Sequence, residues 1–254
     1  MSNSFIRLFV GGGDIIHGKV RYALWLKNVE PSLIRRIPLL TQKIENVKKF
    51  RESSPKLRTR QWAKFPTLFS EDRQPTTDFL ALPKVSSERR FYIPFAYLTS
   101  DYLINNTVSY IPNADKFLFG ILQSEMHMTW VKYVCGRTKS DYQYSNKIVY
   151  NNYPFPENVS DKQKQKVETA AQKVLDTRAK YPDSSLADLY DPLTMPPDLV
   201  KAHQALDKAV DLCYRPQPFV SELNRIEYLF SLYEALSAPL LKVEKKKRVK
   251  KKDS

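Results

Sequence analysis

The 254-residue chain has few of the side chains from which small catalytic and metal sites are built: two cysteines, three histidines and six glycines. Cys135 and Cys213 stand far apart and in no metal-ligand spacing. That argues against a disulfide framework or a zinc site and fits a reducing, cytoplasmic setting. His17, His127 and His203 are scattered, and His127, in an apolar stretch beside Trp130, reads as a packed histidine rather than a ligand. The glycines of GGGDIIHGK (11–19) match neither GxxxxGK[ST] nor a GxGxxG at a strand-to-helix junction, so they read as structural. HExxH and GxSxG are missing as well. No apolar run approaches the roughly 18 residues of a spanning helix, and no amphipathic segment suits a bilayer surface. The start, MSNSFIRLFVGGG, lacks the basic and apolar regions of a signal peptide.

What is abundant is positive charge, +14 formally with a pI of about 9.6, on a chain whose 42% hydrophobic and 12% aromatic content is that of a globular protein. A field of that sign favours a polyanion, nucleic acid or an anionic membrane. Residues 1–100 carry 18 Lys and Arg against 8 Asp and Glu, whereas residues 151–200 carry 6 against 8. The tail KVEKKKRVKKK (242–252) holds eight basic residues in eleven, yet removing 242–254 takes away eight positive and two negative charges and leaves about +8. The excess therefore belongs mostly to the body of the chain, and the tail reads as disordered.

Hydrophobic periodicity sorts the chain into two parts. KVRYALWL (19–26) alternates as a strand, PSLIRRIPLLTQKIENVKKFRESS (31–54) has helical period with a break or kink near Pro38, and the basic KLRTRQWAKFP (56–66) continues as helix. FLALP, VSSERRFYIP and VSYIP, within 79–112, read as short strands ended by prolines. KFLFGILQSEMHMTWVKYVCG (116–136) reads as one apolar helix stopped by Gly136. Three further helices follow: 161–180 capped by Ser160, 196–214 opening on prolines, and 219–236 with Leu223, Ile226, Leu229, Phe230 and Tyr233 on one stripe. The expected fold class is α+β: a mixed sheet with flanking helices over 1–156, a helical C-terminal subdomain over 157–240, and a basic disordered tail over 241–254.

Between the two parts lies KSDYQYSNKIVYNNYPFP (139–156), too polar for a core strand and too aromatic for an ordinary loop. With Arg137 it places Lys139, Asp141, Gln143, Asn146 and Lys147 in one excursion. Arg and Lys donate to guanine O6 and N7, Asp accepts from the cytosine amino group, and Gln or Asn pairs bidentately with adenine. A polar surface loop anchored by its tyrosines has the same composition, and composition alone leans that way. No enzyme constellation assembles. NNYPFP (151–156) has the wrong order for the Asn-Pro-Pro-Tyr loop of an adenine methylase, and VEKKK (243–247) matches Glu-x-Lys only inside a charge run. A helical protein-interaction scaffold, its positive charge serving solubility, is the rival from another class.

Three stretches carry a family resemblance: SSERRFYIP (86–94), EMHMTWVKYVCGRTKSDYQYS (125–145) and KIVYNNYPFP (147–156). They resemble the C-terminal target-recognition region of the single-chain Type IIL restriction–modification enzymes, the MmeI-like family. FIRLFVGGGDIIHGKVRYALWL (5–26) is similar to that family's exit from its methyltransferase domain, and AHQALDKAVDLCY (202–214) to its helical end. The resemblance implies a recognition part, without catalytic residues of its own, of an enzyme that methylates adenine N6. Its partners would be double-stranded DNA and a methyltransferase domain, in cis or in trans, and no membrane. It would hold no cofactor, S-adenosylmethionine and Mg belonging to the preceding domains. It further implies that Lys139 and Asp141, flanking Ser140, read one base pair, guanine by Lys and its partner cytosine by Asp. Gln143 occupies a position that varies with specificity, and relatives often carry Arg there, so its base pair stays open. Arg137 joins these as a base-reading candidate. Tyr142, Tyr144, Tyr150, Asn151 and Asn152 would brace the loop. Arg89, Arg90, Lys147, Arg58 and Arg60 are the candidates for phosphate contacts, the last two on charge alone.

Overall fold

The computed structural model describes residues 5–249, with side chains through residue 238. Strand β1 (Ile6–Val10) runs into a short helix, α1 (Gly12–Ile16), and back along β2 (Arg21–Leu24). Two prolines then open helices α2 (Pro31–Arg35) and α3 (Pro38–Glu52), in the first turn where a missing N–H costs no helix bond. α4 (Leu57–Gln61) and a 3-10 turn (Trp62–Lys64) complete this basic arm. Five short strands follow: β3 (Phe79–Pro83), β4 (Val85–Ser86), β5 (Ala96–Leu98), β6 (Leu103–Ile104) and β7 (Val108–Pro112). Next come α5 (Lys116–Leu122), α6 (Glu125–Val134), the hairpin strands β8 (Gly136–Thr138) and β9 (Asp141–Gln143), and a π-helical turn (Asn146–Tyr150). The chain continues through α7 (Asp161–Arg178), α8 (Leu186–Leu189), α9 (Pro197–Tyr214) and α10 (Glu222–Val249).

The strands form three small sheets rather than one. In β2-β1-β6, β1 pairs antiparallel with β2 and parallel with β6, so this sheet is mixed. In β5-β3-β7 every pairing is antiparallel, and all five residues of the central FLALP strand are buried. The third sheet, β4-β9-β8, is antiparallel and carries the hairpin.

One hydrophobic cluster joins the two parts of the chain. It takes Leu80, Phe95, Phe119, Trp130 and Tyr144 from the first part and Val167, Val174, Leu199, Leu206 and Leu229 from the second, each at most 1% exposed. α5 lies against α7 at Gly120, where a Cβ would stand 2.6 Å from Val167 Cγ1 and 3.3 Å from Ala171 Cβ. Arg178 of α7 reaches back to donate to the Phe95 carbonyl at 2.8 Å and to the Gln123 side chain.

Four sequence expectations are corrected. Only Val85–Ser86 of VSSERRFYIP is strand; Ser87–Arg90 turns, the Arg90 N–H donating to the Ser87 carbonyl at 3.3 Å. The apolar run 116–136 is two helices, because Ser124 breaks the first and caps the second by accepting from His127 N. Gly136 is not the stop: Cys135 already has extended backbone and Gly136 begins β8. In the segment expected as a disordered tail from 241, the α10 backbone continues to Val249, since Lys and Arg extend a helix already started. Residues 250–254 of that tail lie outside the described residues.

Candidate nucleic-acid interface

The hairpin is closed by the Thr138–Asp141 pair, leaving Lys139 and Ser140 as a two-residue turn. Turns of this length need positive φ and favour Gly, Asn or Asp there. Lys139 nonetheless has φ 56°, a conformation that costs a side-chain-bearing residue roughly 1–2 kcal/mol. Strain of that kind persists where surrounding contacts hold it. Along β9 the side chains alternate. Tyr142 is 3% exposed and points inward, while Gln143 is exposed and Asp141 half-exposed on the other face, beside the exposed Lys139.

The inward side is fixed at several points. Tyr142 pairs with Ser86 in register, and Tyr144 N–H donates to the Lys84 carbonyl at 2.8 Å. The Tyr144 hydroxyl meets His127 Nε2 at 3.0 Å. Burial lifts the Tyr144 hydroxyl well above its ordinary pKa and drives His127 down to about 3, so the pair is neutral. Behind the hairpin, Trp130 Nε1 donates to the Val149 carbonyl at 3.0 Å and ties down the π-helical turn. Asn152 Nδ2 donates to the Lys147 and Ile148 carbonyls at 3.2 and 3.0 Å, satisfying the turn's end. Tyr150 packs edge-on against Phe155 at 5.6 Å. Asn151 donates only its backbone N–H, to the Asn146 carbonyl at 2.8 Å, and its side chain is exposed, as is that of Lys147.

The guanidinium groups divide sharply. Arg137 has its charge stacked 4.0 Å over the Tyr142 ring, and its Nη1 donates to the Ser140 carbonyl at 2.9 Å. It pairs in register with Tyr142, so it stands on the face of the hairpin that Tyr142 occupies and not on that of Asp141 and Gln143, with its side chain 38% exposed. Arg90 is half-buried, 3.4 Å from Ser86 Oγ, and its buried Nε has no partner. Burial lowers its pKa, opposed by the carboxylates of Asp141 and Asp191. Its side chain therefore lies half-covered beside the hairpin, within reach of both carboxylates. Arg89 is 60% exposed and stands 3.9 Å from Asp191. Arg58, 75% exposed, is 3.8 Å from Glu71, and Arg60 donates to the Ser54 and Pro55 carbonyls at 2.8 and 2.9 Å. Both lie on the α4 arm, on an element separate from the hairpin sheet.

Two neighbours of the hairpin escaped the sequence reading. Glu88 Oε2 lies 3.9 Å from Arg137 Nη1, and Asp191 comes from the segment after α8. Glu88 lay inside a stretch read as strand, which hid its turn, and no local pattern connects Asp191 with it. A cavity of about 490 Å³ between β2, α3 and residues 66–69 is apolar and shares no lining residue with the hairpin. Among the described residues no three His, Cys, Asp or Glu side chains gather to hold a metal, and no helix is long and apolar enough to cross a membrane.

A family model described as MmeI, target recognition domain, matches residues 1–157, and one described as MmeI, C-terminal domain, matches residues 159–241. The chain belongs to the MmeI family. It is 39% identical over 233 residues to DNA methyltransferase A of Bacillus subtilis (strain 168), a match covering 92% of this chain and 26% of that protein. A solved structure of the Type IIL restriction–modification enzyme MmeI in complex with DNA superposes with a TM-score of 0.88 at 41% identity, over 93% of this chain and 32% of that one. The chain thus spans about a quarter and a third of the lengths of these two MmeI-family relatives. The α+β class with a helical C-terminal part, expected from periodicity, is the MmeI-family fold seen here.

Proposed function

We propose that the chain recognises a short site in double-stranded DNA through the major groove, as the specificity part of a restriction–modification enzyme that methylates adenine N6. The target-recognition family match and the likeness to an MmeI–DNA complex support DNA as the partner. The name of the Bacillus subtilis relative supports a methyltransferase domain acting with it, in cis or in trans. In that role the chain holds the duplex while the methyltransferase domain turns the adenine out of the stack. S-adenosylmethionine and Mg belong to that catalytic machinery, and this chain contributes no catalytic residue.

The observation that carries the reading is the hairpin tip: Lys139 is exposed in the turn, and Asp141 and Gln143 lie half-exposed and exposed on a strand whose intervening Tyr142 is buried. Lys139 donates to guanine O6 or N7 and Asp141 accepts from the paired cytosine amino group. Gln143, two residues along the same face, reads a neighbouring base pair. Arg89 and Lys147, both exposed, contact phosphates and set register without reading sequence. Arg58 and Arg60 add charge from the α4 arm.

The test is base preference measured by selection from randomised duplexes at low salt. Exchanging the pair, Lys139→Asp with Asp141→Lys, is expected to change the preference at one base pair, worth about 1–3 kcal/mol of discrimination. Arg89→Gln should instead weaken binding to all sequences and make the slope of log K against log salt shallower by about one. An unchanged preference after the exchange refutes the assignment. No retention of any duplex at low salt favours the protein-interaction scaffold.

A further inference from the structure

Two ion pairs and a hydrogen bond join the helical portion to the tip of the hairpin. Asp191 follows Tyr190, which is 1% exposed and whose hydroxyl lies 2.7 Å from Arg178 Nε and 2.8 Å from His203 Nε2. That anchor places Asp191 Oδ1 3.9 Å from Arg89 Nη2. One residue earlier in the same turn, Glu88 Oε2 lies 3.9 Å from Arg137 Nη1. The Arg137 guanidinium, stacked 4.0 Å over Tyr142, passes the constraint on by donating to the Ser140 carbonyl at 2.9 Å. Ser140 is the residue between the two proposed base readers, and its carbonyl belongs to the peptide that leads into Asp141.

Exposed pairs at such distances add little to stability. A planar, stacked guanidinium that also holds a carbonyl does something else: it fixes the plane of one peptide. Here that peptide sets the angle between Lys139 and Asp141, and a base-reading group needs its aim held within about 0.5 Å.

We propose that Arg137 and Glu88 are positioning residues for base recognition, and that Asp191 ties them to the helical portion, so that the C-terminal part of the chain sets the aim of the hairpin. This rests on the reading of Lys139 and Asp141 as base contacts. Arg137 acts through the Ser140 peptide and touches no base. Arg89 keeps an outward donor for a phosphate while its partner Asp191 fixes the turn that carries Glu88.

The experiment uses the whole chain and the randomised-duplex selection, with thermal unfolding in parallel. Glu88→Gln and Arg137→Lys are each expected to lower the preference at the Lys139/Asp141 base pair about tenfold, the size of part of a good base contact. Preferences elsewhere in the site, the salt slope and the melting temperature should stay as in the parent, which a merely structural defect would not allow. Asp191→Asn should give a smaller loss at the same base pair. Loss of preference at a different base pair after Arg137→Lys makes Arg137 a direct reader and overturns the proposal. Uniform weakening with a shallower salt slope overturns it too, by making Arg137 a phosphate contact. If the Lys139/Asp141 exchange leaves the preference unaltered, the base-reading assignment fails and this proposal with it. If the exchange shifts one base pair while Glu88→Gln and Arg137→Lys change nothing, the positioning proposal alone fails.

Discussion

Lys139 carries two demands at once. Its ammonium is wanted at the tip of the hairpin, and its backbone is held at φ 56°, where glycine would sit without strain. Lys139→Gly separates the two. Relief of the left-handed strain should stabilise the fold by about 1 kcal/mol, somewhat less if the freer unfolded chain offsets it. On the proposed assignment of Lys139 to guanine, discrimination at that base should fall at the same time, since the donor is gone. Urea unfolding and duplex selection on one preparation check both. A Lys139→Gly variant that is less stable than the parent would show that the Lys139 side chain itself holds the turn. The conflict between local preference and observed backbone is of the kind expected at functional positions.

At the scale of elements, contacts within a few residues were legible in the sequence and contacts across the chain were not. The break expected near Pro38 is where α3 begins, and Ser160, expected as a cap, caps α7, with Gln163 completing a capping box. Tyr142 and Tyr144, expected to brace the loop, are buried, and the polar Asp141 and Gln143 between and beside them are half-exposed and exposed. Arg137 could not be sorted that way, because the ring beneath it belongs to the opposing strand and its acid to another sheet strand's turn. Ser124 was misread inside an apolar run, although Ser before Glu is an N-cap signal. Gly120 passed as an ordinary helix residue, yet it is what allows α5 to lie on α7. Gly120→Ala should improve intrinsic helicity and still destabilise the protein. The added methyl would meet Val167 Cγ1 at 2.6 Å and Ala171 Cβ at 3.3 Å, and overpacking of this sort costs about 1–3 kcal/mol. A lower melting temperature with unchanged far-ultraviolet helix signal is the expected outcome; an unchanged or higher one would mean that the α5–α7 contact yields easily.

Across the whole molecule, the seam between recognition part and helices is polar as well as apolar, and its groups titrate. Tyr92 stacks on His203 at 4.0 Å and donates to Asp207 Oδ2 at 2.6 Å, while Glu125 N–H donates to Asp207 Oδ1 at 2.7 Å. Burial holds His127 near 3 and His203 well below 6.5, so an unfolded chain takes up two protons in that window that the folded one refuses. Stability from these two is therefore lost as pH falls below about 6.5. Asp207 works in the other direction: burial, with the nearby Glu125 and Asp211 carboxylates, raises it from 3.8 to about 7. The fold keeps that proton between the two values, and its contribution is lost as pH rises through 7. At pH 5 the unfolded chain carries two extra histidine protons and the folded chain one extra on Asp207, a net difference of one, or about 1.4 kcal/mol per pH unit. Near pH 7 the histidine and Asp207 differences fade together and the slope goes to zero. Urea unfolding across pH 5 to 8.5 should thus show stability climbing to about pH 7 and then levelling off. Asp207→Asn should steepen the climb toward two protons, because only the histidines then remain linked to folding. A parent curve that already climbs with the slope of two protons would place Asp207 as an ordinary ionised carboxylate, its burial in the seam without effect on its titration.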